Sequence, residues 1–316
     1  MKPPIIAIVV PCFNEEKALP ITVKTLLTLL ERMTTKRLVS SNSFILCCND
    51  GSIDNTWSII EELHKADNRV KGISLSRNCG HQHVLLAGLM TVKNMCDAAI
   101  SIDADLQDDP EAIEQMVSSF HHGNEIVYGV RSSRPTDTWF KRTTAHVFSS
   151  FQKSMGLETI YDHADYRLMS QRALEMLSQY SESNLFLRGI VPQIGLNTDI
   201  VTYERKERVA GESKYPLKKM LSFSIDGITS FSARPMRWIF LTGLVLLVLD
   251  VIVALYVLIS YFGHPTLSGW PSIMLSIWFL GSLILMSIGI VGEYIGKIFV
   301  EVKHRPKYFI KESLFD

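Results

Sequence analysis

Short unbroken apolar runs, polar turns and amphipathic stretches follow one another through the first half of the chain. Ile5 to Val10 is apolar and largely β-branched, the pattern of a strand covered on both faces in a parallel sheet. It stops at Pro11 in PCFNEE, and apolar residues then recur at helical spacing from Val23 to Leu30. Phe44 to Cys48 repeats the design, with the turn NDGSIDNT and a helix that Asp54 or Asn55 would cap. VKGISLSRNCGHQ is a third unit and Ala98 to Asp109 a fourth. This succession predicts a right-handed α/β domain with a mainly parallel sheet. In such sheets ligands sit beyond the carboxyl ends of the strands, so the four polar turns are expected along one edge. Glu125 to Val130 is a fifth candidate strand and Lys141 to Gly156 a helix. IYDHADYRLMSQRALEML reads as a turn, a short strand and a helix, and Ile200 to Tyr203 as a strand.

The pattern changes after residue 216. Leu217 to Ser232 keeps its apolar residues near one helical face, as an interfacial helix does. Trp238 to Phe262 carries the single charge Asp250, and Ile273 to Val291 is a second apolar run. Each is long enough to span a hydrocarbon core of about 30 Å, although a buried core helix would look similar. Arg234 and Arg237 precede the first run, Lys297, Lys303, Arg305, Lys307 and Lys311 follow the second, and GHPTLSGWP between them is uncharged. The positive-inside rule then places both flanks in the cytoplasm. The expected organisation is a cytoplasmic catalytic domain over 1–215, an interfacial helix over 216–235, two spans with a short external loop over 236–296, and a basic cytoplasmic tail over 297–316. A multi-pass protein of the cell membrane is expected, with both termini cytoplasmic.

Composition narrows the function. The 316 residues include 32 basic and 32 acidic side chains, which argues against a general nucleic-acid binder. Five cysteines without CxxC spacing fit reduced thiols better than disulfides or a zinc site. Met1-Lys2-Pro3-Pro4 runs straight into a strand, so no signal peptide is expected. There is no Walker-type phosphate loop and no GxSxG, and the scattered histidines, His81 among them, read as surface or turn residues.

The most informative stretch is Ala98 to Glu111, where an apolar run ends in Asp103, Asp105, Asp108, Asp109 and Glu111. Like charges this close raise one another's pKa unless something compensates. Asp103 and Asp105 could reach one hard cation such as Mg2+ or Mn2+, with Gln107 adding a neutral oxygen. The competing reading is a solvated acidic loop, since Asp109-Pro110-Glu111 is also a good helix start. A metal at a strand end would bridge the oxygens of a diphosphate, and Glu15 and Asp50 on neighbouring strand ends suit hydroxyl or base N–H groups. The basic segment 205–219 is either a solvated loop or a place to meet anionic lipid head groups or phosphates.

Taken together, VVPCFNEE, CNDGSIDNT, SRNCGHQHVLLAGL, DADLQDDPE, ADYRLMS, RVAGESKYP and GEYIGKIFVEVKHRPKY resemble the inverting glycosyltransferases that load a sugar onto a polyprenyl phosphate. Bactoprenol glucosyltransferases are the nearest likeness and dolichol-phosphate mannose synthases more distant relatives. The resemblance covers essentially the whole chain and implies a glycosyltransferase-A fold, a nucleotide-sugar donor, a polyprenyl (undecaprenyl) phosphate acceptor and self-association. It implies that Asp103, Asp105 and Gln107 hold the metal and donor diphosphate. Pro11, Phe13, Glu15 and Asp50 match nucleotide-holding positions, and Arg131 an arginine that reaches the phosphates. Asp165 matches a proposed catalytic base, with Ala164 where the family has glycine. Arg205, Arg208, Ser213 and Lys214 match a loop that closes on the acceptor phosphate.

The expected reaction is transfer of glucose from UDP-glucose for cell-envelope glycan modification, with N-acetylglucosamine, galactose or mannose as alternatives. A processive polysaccharide synthase is disfavoured because Arg234 stands where its QxxRW motif needs glutamine. A non-catalytic nucleotide-sugar sensor is disfavoured because the acidic and basic motifs are both retained.

Overall fold

The computed structural model describes residues 2–132, 163–182, 186–204 and 269–315, with scattered helical positions between 236 and 255. The chain divides into two compact units. One comprises Met1–Ser149, Glu158–Tyr215 and Arg305–Asp316, the other Ser150–Leu157 and Pro216–His304.

The first unit is built on an eight-stranded sheet. Its strands are β1 (Ile6–Cys12), β2 (Phe44–Asn49), β3 (Val70–Leu75), β4 (Ala98–Ser101), β5 (Ile126–Arg131), β6 (His163–Ser170), β7 (Thr198–Tyr203) and β8 (Ile310–Leu314), in the order β7-β5-β6-β4-β1-β2-β3-β8. β1 pairs in parallel with β2 and β4, β2 with β3, and β5 with β7. The expected mainly parallel α/β sheet is therefore present, and the four repeated units leave their polar turns on one edge. β1, β2 and β4 are buried along their whole length, which accounts for their unbroken apolar runs.

The helices are α1 (Leu19–Thr35), α2 (Thr56–Ala66), α3 (His81–Val92), α4 (Ala112–His121), α5 (Gln171–Leu177) and α6 (Leu187–Gln193). Alternate residues of β1 and β2 (Ile6, Ile8, Val10, Ile45, Cys47) join a core with α1 and α4. The opposite face takes α3 at close range. A Cβ on Gly88 would lie 2.5 Å from Val9 Cγ1 and Cys48 Sγ, so only glycine lets the helix approach.

Two strands run against the rest. β6 is antiparallel to both β4 and β5, and β8 is antiparallel to β3. The reversal of β6 matters because it brings that strand's entry end, not its exit, to the ligand edge. The sequence reading assigned no element to β8, the short charged strand IKESL. It closes the β3 edge, with Trp57 Nε1 donating to Glu312 (3.0 Å) and Lys71 Nζ to the Phe315 carbonyl (3.1 Å).

In the second unit, α7 runs from Trp270 to Val302. Its stretch Phe279–Val302 holds an 18-residue window of mean hydropathy 1.8 and is the one helix among the described residues long and apolar enough to cross a membrane. The helix outruns the expected end at Val291, because the helical backbone carries Glu293 and Lys297 through without a break. The expected interfacial helix and the helix at 141–156 lie outside the described residues, and the first span is described only at scattered helical positions, Asp250 not among them, so two spans are not established.

Candidate active site

The ends of β1, β2 and β3 are tied into one platform. Asn14 adopts a left-handed backbone (φ 56°) and is pinned on both sides. Its N–H donates to Ser52 Oγ (3.0 Å), and its side-chain oxygen accepts from the Ile53 N–H (3.0 Å). Asn49 accepts from the Ser52 N–H and donates to Ser74 Oγ (2.9 Å). Among the expected nucleotide-binding residues, Pro11 is buried in β1 and Phe13 is 45% exposed beside it. The Glu15 N–H donates to Thr56 Oγ1 (2.9 Å).

Asp50 is buried, and its two oxygens accept the Cys79 N–H (2.7 Å) and the Gly80 N–H (2.9 Å). Burial pushes its pKa up against those two donors. In this geometry Asp50 holds the turn that starts α3. Gly51 (φ 63°) beside it admits no side chain, since a Cβ would lie 2.7 Å from the Arg77 and Asn78 backbone.

The acidic loop follows β4. Leu106, between Asp105 and Gln107, has a φ of 53°, a conformation that costs about 1–3 kcal/mol for a non-glycine residue and that its buried side chain helps to hold. Asp105 accepts the Gln107 N–H (3.1 Å). Asp103, whose side chain is 43% exposed, is pushed up to about 6: desolvation by the surrounding chain comes first, His81 opposes it, and Asp108, Asp165 and Asp105 add their charge. That excess of negative charge, carried by hard oxygen donors, fits a divalent cation. No group of three His, Cys, Asp or Glu side chains placed to hold a metal exists among the described residues. Asp103 and Asp105 would therefore need Gln107, water and substrate oxygens to complete a shell.

Asp108 belongs to a different group. It is buried and accepts from the Tyr203 hydroxyl (2.6 Å) and from Arg131 Nη2 (3.1 Å). Arg131, expected to reach phosphates, is thus tied to the acidic loop, and Asp108 links that loop to β5 and β7. Asp109 accepts the Glu111 N–H at 3.4 Å, and its carbonyl accepts the Tyr166 hydroxyl (2.9 Å), which anchors the start of α4.

Asp165 sits at the entry of β6, where the antiparallel register pairs Arg167 with Ser101. Its side chain is only 5% exposed. Oδ1 accepts from Arg167 Nη2 (2.5 Å) and Arg188 Nε (3.3 Å), and Oδ2 from Gln82 Nε2 (3.0 Å) and Arg188 Nη2 (3.1 Å). His81 Nε2 lies 3.5 Å from Asp165 Oδ2 and 3.8 Å from Asp103 Oδ1. Burial alone would raise Asp165, but His81, Arg188 and Arg167 overcome it and hold the carboxyl well below the usual range. His81 itself is lifted to about 8, since Asp165 and Asp103 outweigh its desolvation. The sequence reading missed His81, Gln82, Arg167 and Arg188 as site residues. The G-H-Q string opening α3 was the available signal for the first two. Arg205, Arg208, Ser213 and Lys214 lie outside the described residues.

The chain is similar to known proteins along nearly its whole length. The model of glycosyl transferase family 2 matches residues 7–178. An uncharacterized glycosyltransferase of Bacillus subtilis, YkoT, is 51% identical over 99% of this chain and 93% of its own. The SfII prophage-derived bactoprenol glucosyl transferase of Shigella flexneri is 41% identical over 98% of both chains. Among solved structures, mannosyl-3-phosphoglycerate synthase from Rubrobacter xylanophilus covers 74% of each chain at 16% identity and a TM-score of 0.48. The family match spans the sheet edge and the acidic loop, and the two curated relatives extend it along nearly the whole chain: this chain belongs to glycosyl transferase family 2 and is a glycosyltransferase.

Proposed function

We propose that this enzyme transfers glucose from UDP-glucose to a polyprenyl phosphate at the cytoplasmic face of the cell membrane, inverting the anomeric carbon in one displacement. The observation that carries the reading is the 41% identity to a bactoprenol glucosyl transferase, which runs through the catalytic unit and the apolar helix alike. The length of α7 supports membrane attachment, and the reading includes self-association as a homo-oligomer.

Asp103, Asp105 and Gln107 would hold Mg2+ or Mn2+, which when bound neutralises charge on the departing nucleoside diphosphate. The pinned β1–β2–β3 platform around Phe13 and Glu15 receives the nucleotide, and the Asp50-anchored turn keeps the start of α3 in place beside it. Arg205, Arg208, Ser213 and Lys214 gather the acceptor phosphate. That phosphate has its second pKa near 6 and is already largely anionic at neutral pH, so the nucleophile needs no general base.

Membranes containing the protein, incubated with labelled UDP-glucose and undecaprenyl phosphate, are expected to yield organic-soluble label that EDTA abolishes and Mg2+ or Mn2+ restores. Nucleotide-sugar binding without any lipid product would defeat the proposal. A panel of UDP- and GDP-sugars in the same assay selects the donor.

A further inference from the structure

The Asp165 carboxylate has four lone-pair directions, and four hydrogen bonds from Arg167, Arg188 and Gln82 fill them, with His81 against Oδ2 as well. A general base must offer a lone pair within reach of the proton it takes, and its side chain must be accessible to the substrate. Asp165 offers neither. Its charge is already balanced by Arg167, which is 1% exposed and touches Asp165 on one side and the Leu187 carbonyl on the other.

That balance leaves Arg188 as surplus positive charge. Its side chain is 39% exposed, and it engages Asp165 side-on through Nε and Nη2. Nη1 has no hydrogen-bond partner among the described residues. A guanidinium held by one edge and open at the other is preorganised for an oxyanion, above all a phosphate. Gln82 fixes the same corner twice, donating to Asp165 and accepting the Leu187 N–H (3.0 Å), so the backbone that carries Arg188 is tied to α3. His81 Nε2 bridges this group to the acidic loop, 3.5 Å from Asp165 Oδ2 and 3.8 Å from Asp103 Oδ1, so Arg188 is tied to a carboxylate that adjoins the loop where phosphate-bearing substrates would bind.

We infer that Arg188 binds a phosphate of one of the substrates, and that Asp165 is the positioning residue that aims it. This rests on the function proposed above, in which the donor's diphosphate and the acceptor's phosphate are the two sources of that chemistry.

The test uses the full-length protein and four variants: Arg188→Ala, Arg188→Lys, Asp165→Asn and the Asp165→Asn/Arg188→Ala double. Calorimetric binding of UDP and, separately, of farnesyl phosphate gives one arm for each source. Arg188→Ala is expected to weaken one of the two by about 10- to 100-fold, the range for losing one charge-assisted hydrogen bond. Arg188→Lys should recover part of the loss, with an unchanged melting temperature. A loss confined to UDP assigns the donor diphosphate, and one confined to farnesyl phosphate the acceptor. Wild-type affinity for both in Arg188→Ala overturns the inference. In turnover, Asp165→Asn and Arg188→Ala should raise the same KM, and the double variant should be no worse than the worse single. Additive losses, or an Asp165→Asn effect on kcat alone with the basic limb of the pH profile removed, would also overturn it. Because the binding arms need no turnover, they remain decisive if wild type makes no lipid product, an outcome that defeats the proposed function instead.

Discussion

At the scale of single residues, the carboxylates of the acidic stretch divide by what they touch. Asp103 and Asp105 are the proposed cation ligands, whereas Asp108 and Asp109 hold the loop to the rest of the domain. Asp105→Ala is expected to abolish sugar transfer while leaving the melting temperature near that of wild type, as a labelled-sugar assay and a thermal scan on the same preparation would show. Asp109→Ala should retain transfer and cost about 0.5–2 kcal/mol, the scale of a lost helix-start hydrogen bond. Asp108→Ala removes the charge opposite Arg131 and the acceptor of Tyr203 in a buried setting, and should cost about 3–5 kcal/mol in urea unfolding followed by far-UV circular dichroism. Loss of transfer in Asp109→Ala with stability intact would contradict this division. The separation was partly legible, since Asp109-Pro110-Glu111 reads as a helix start. The Asp108 pairing was not, because Arg131 and Tyr203 approach it from strands far along the chain. His81 is exposed as expected, but its pairing was hidden for the same reason: its partners arrive from the loop after β4 and from β6.

At the scale of elements, the alternation of apolar runs and polar turns revealed β1 to β4 and the edge they share, because strands covered on both faces leave a continuous apolar signature. Strand direction leaves none. An eight-residue strand looks alike run either way, so only the pairing with β4 and β5 shows that β6 is reversed and that Asp165 lies at the ligand edge. β8 was invisible because an edge strand with one covered face can be short and charged. Deleting residues 310–316 should expose the β3 edge, lowering the melting temperature and promoting aggregation, as light scattering would register. Gly88→Ala should cost about 1–3 kcal/mol, since the added methyl meets Val9 and Cys48 across the α3 contact. A neutral result there would mean that α3 can shift away from the sheet at little cost.

At the scale of the whole molecule, a domain whose sheet edge gathers carboxylates and arginines is joined in one chain to a helix of Phe279–Val302 that is apolar enough for a bilayer. The protein should therefore stay with the membrane fraction through a high-salt or alkaline carbonate wash and be released by detergent, and release by salt alone would contradict membrane anchoring. The sequence by itself determined the fold class, the family resemblance and the acidic stretch, because apolar periodicity and short motifs are local and survive without coordinates. Tertiary structure decided what those residues do to one another. It showed that Asp50 is spent on the Cys79–Gly80 turn, that Arg131 answers to Asp108, and that Asp165 is enclosed by Arg167, Arg188 and Gln82 rather than open to a substrate. A carboxylate's role depends on which donors fill its lone pairs, and those donors come from β6, α3 and α6, segments that only the folded sheet brings together.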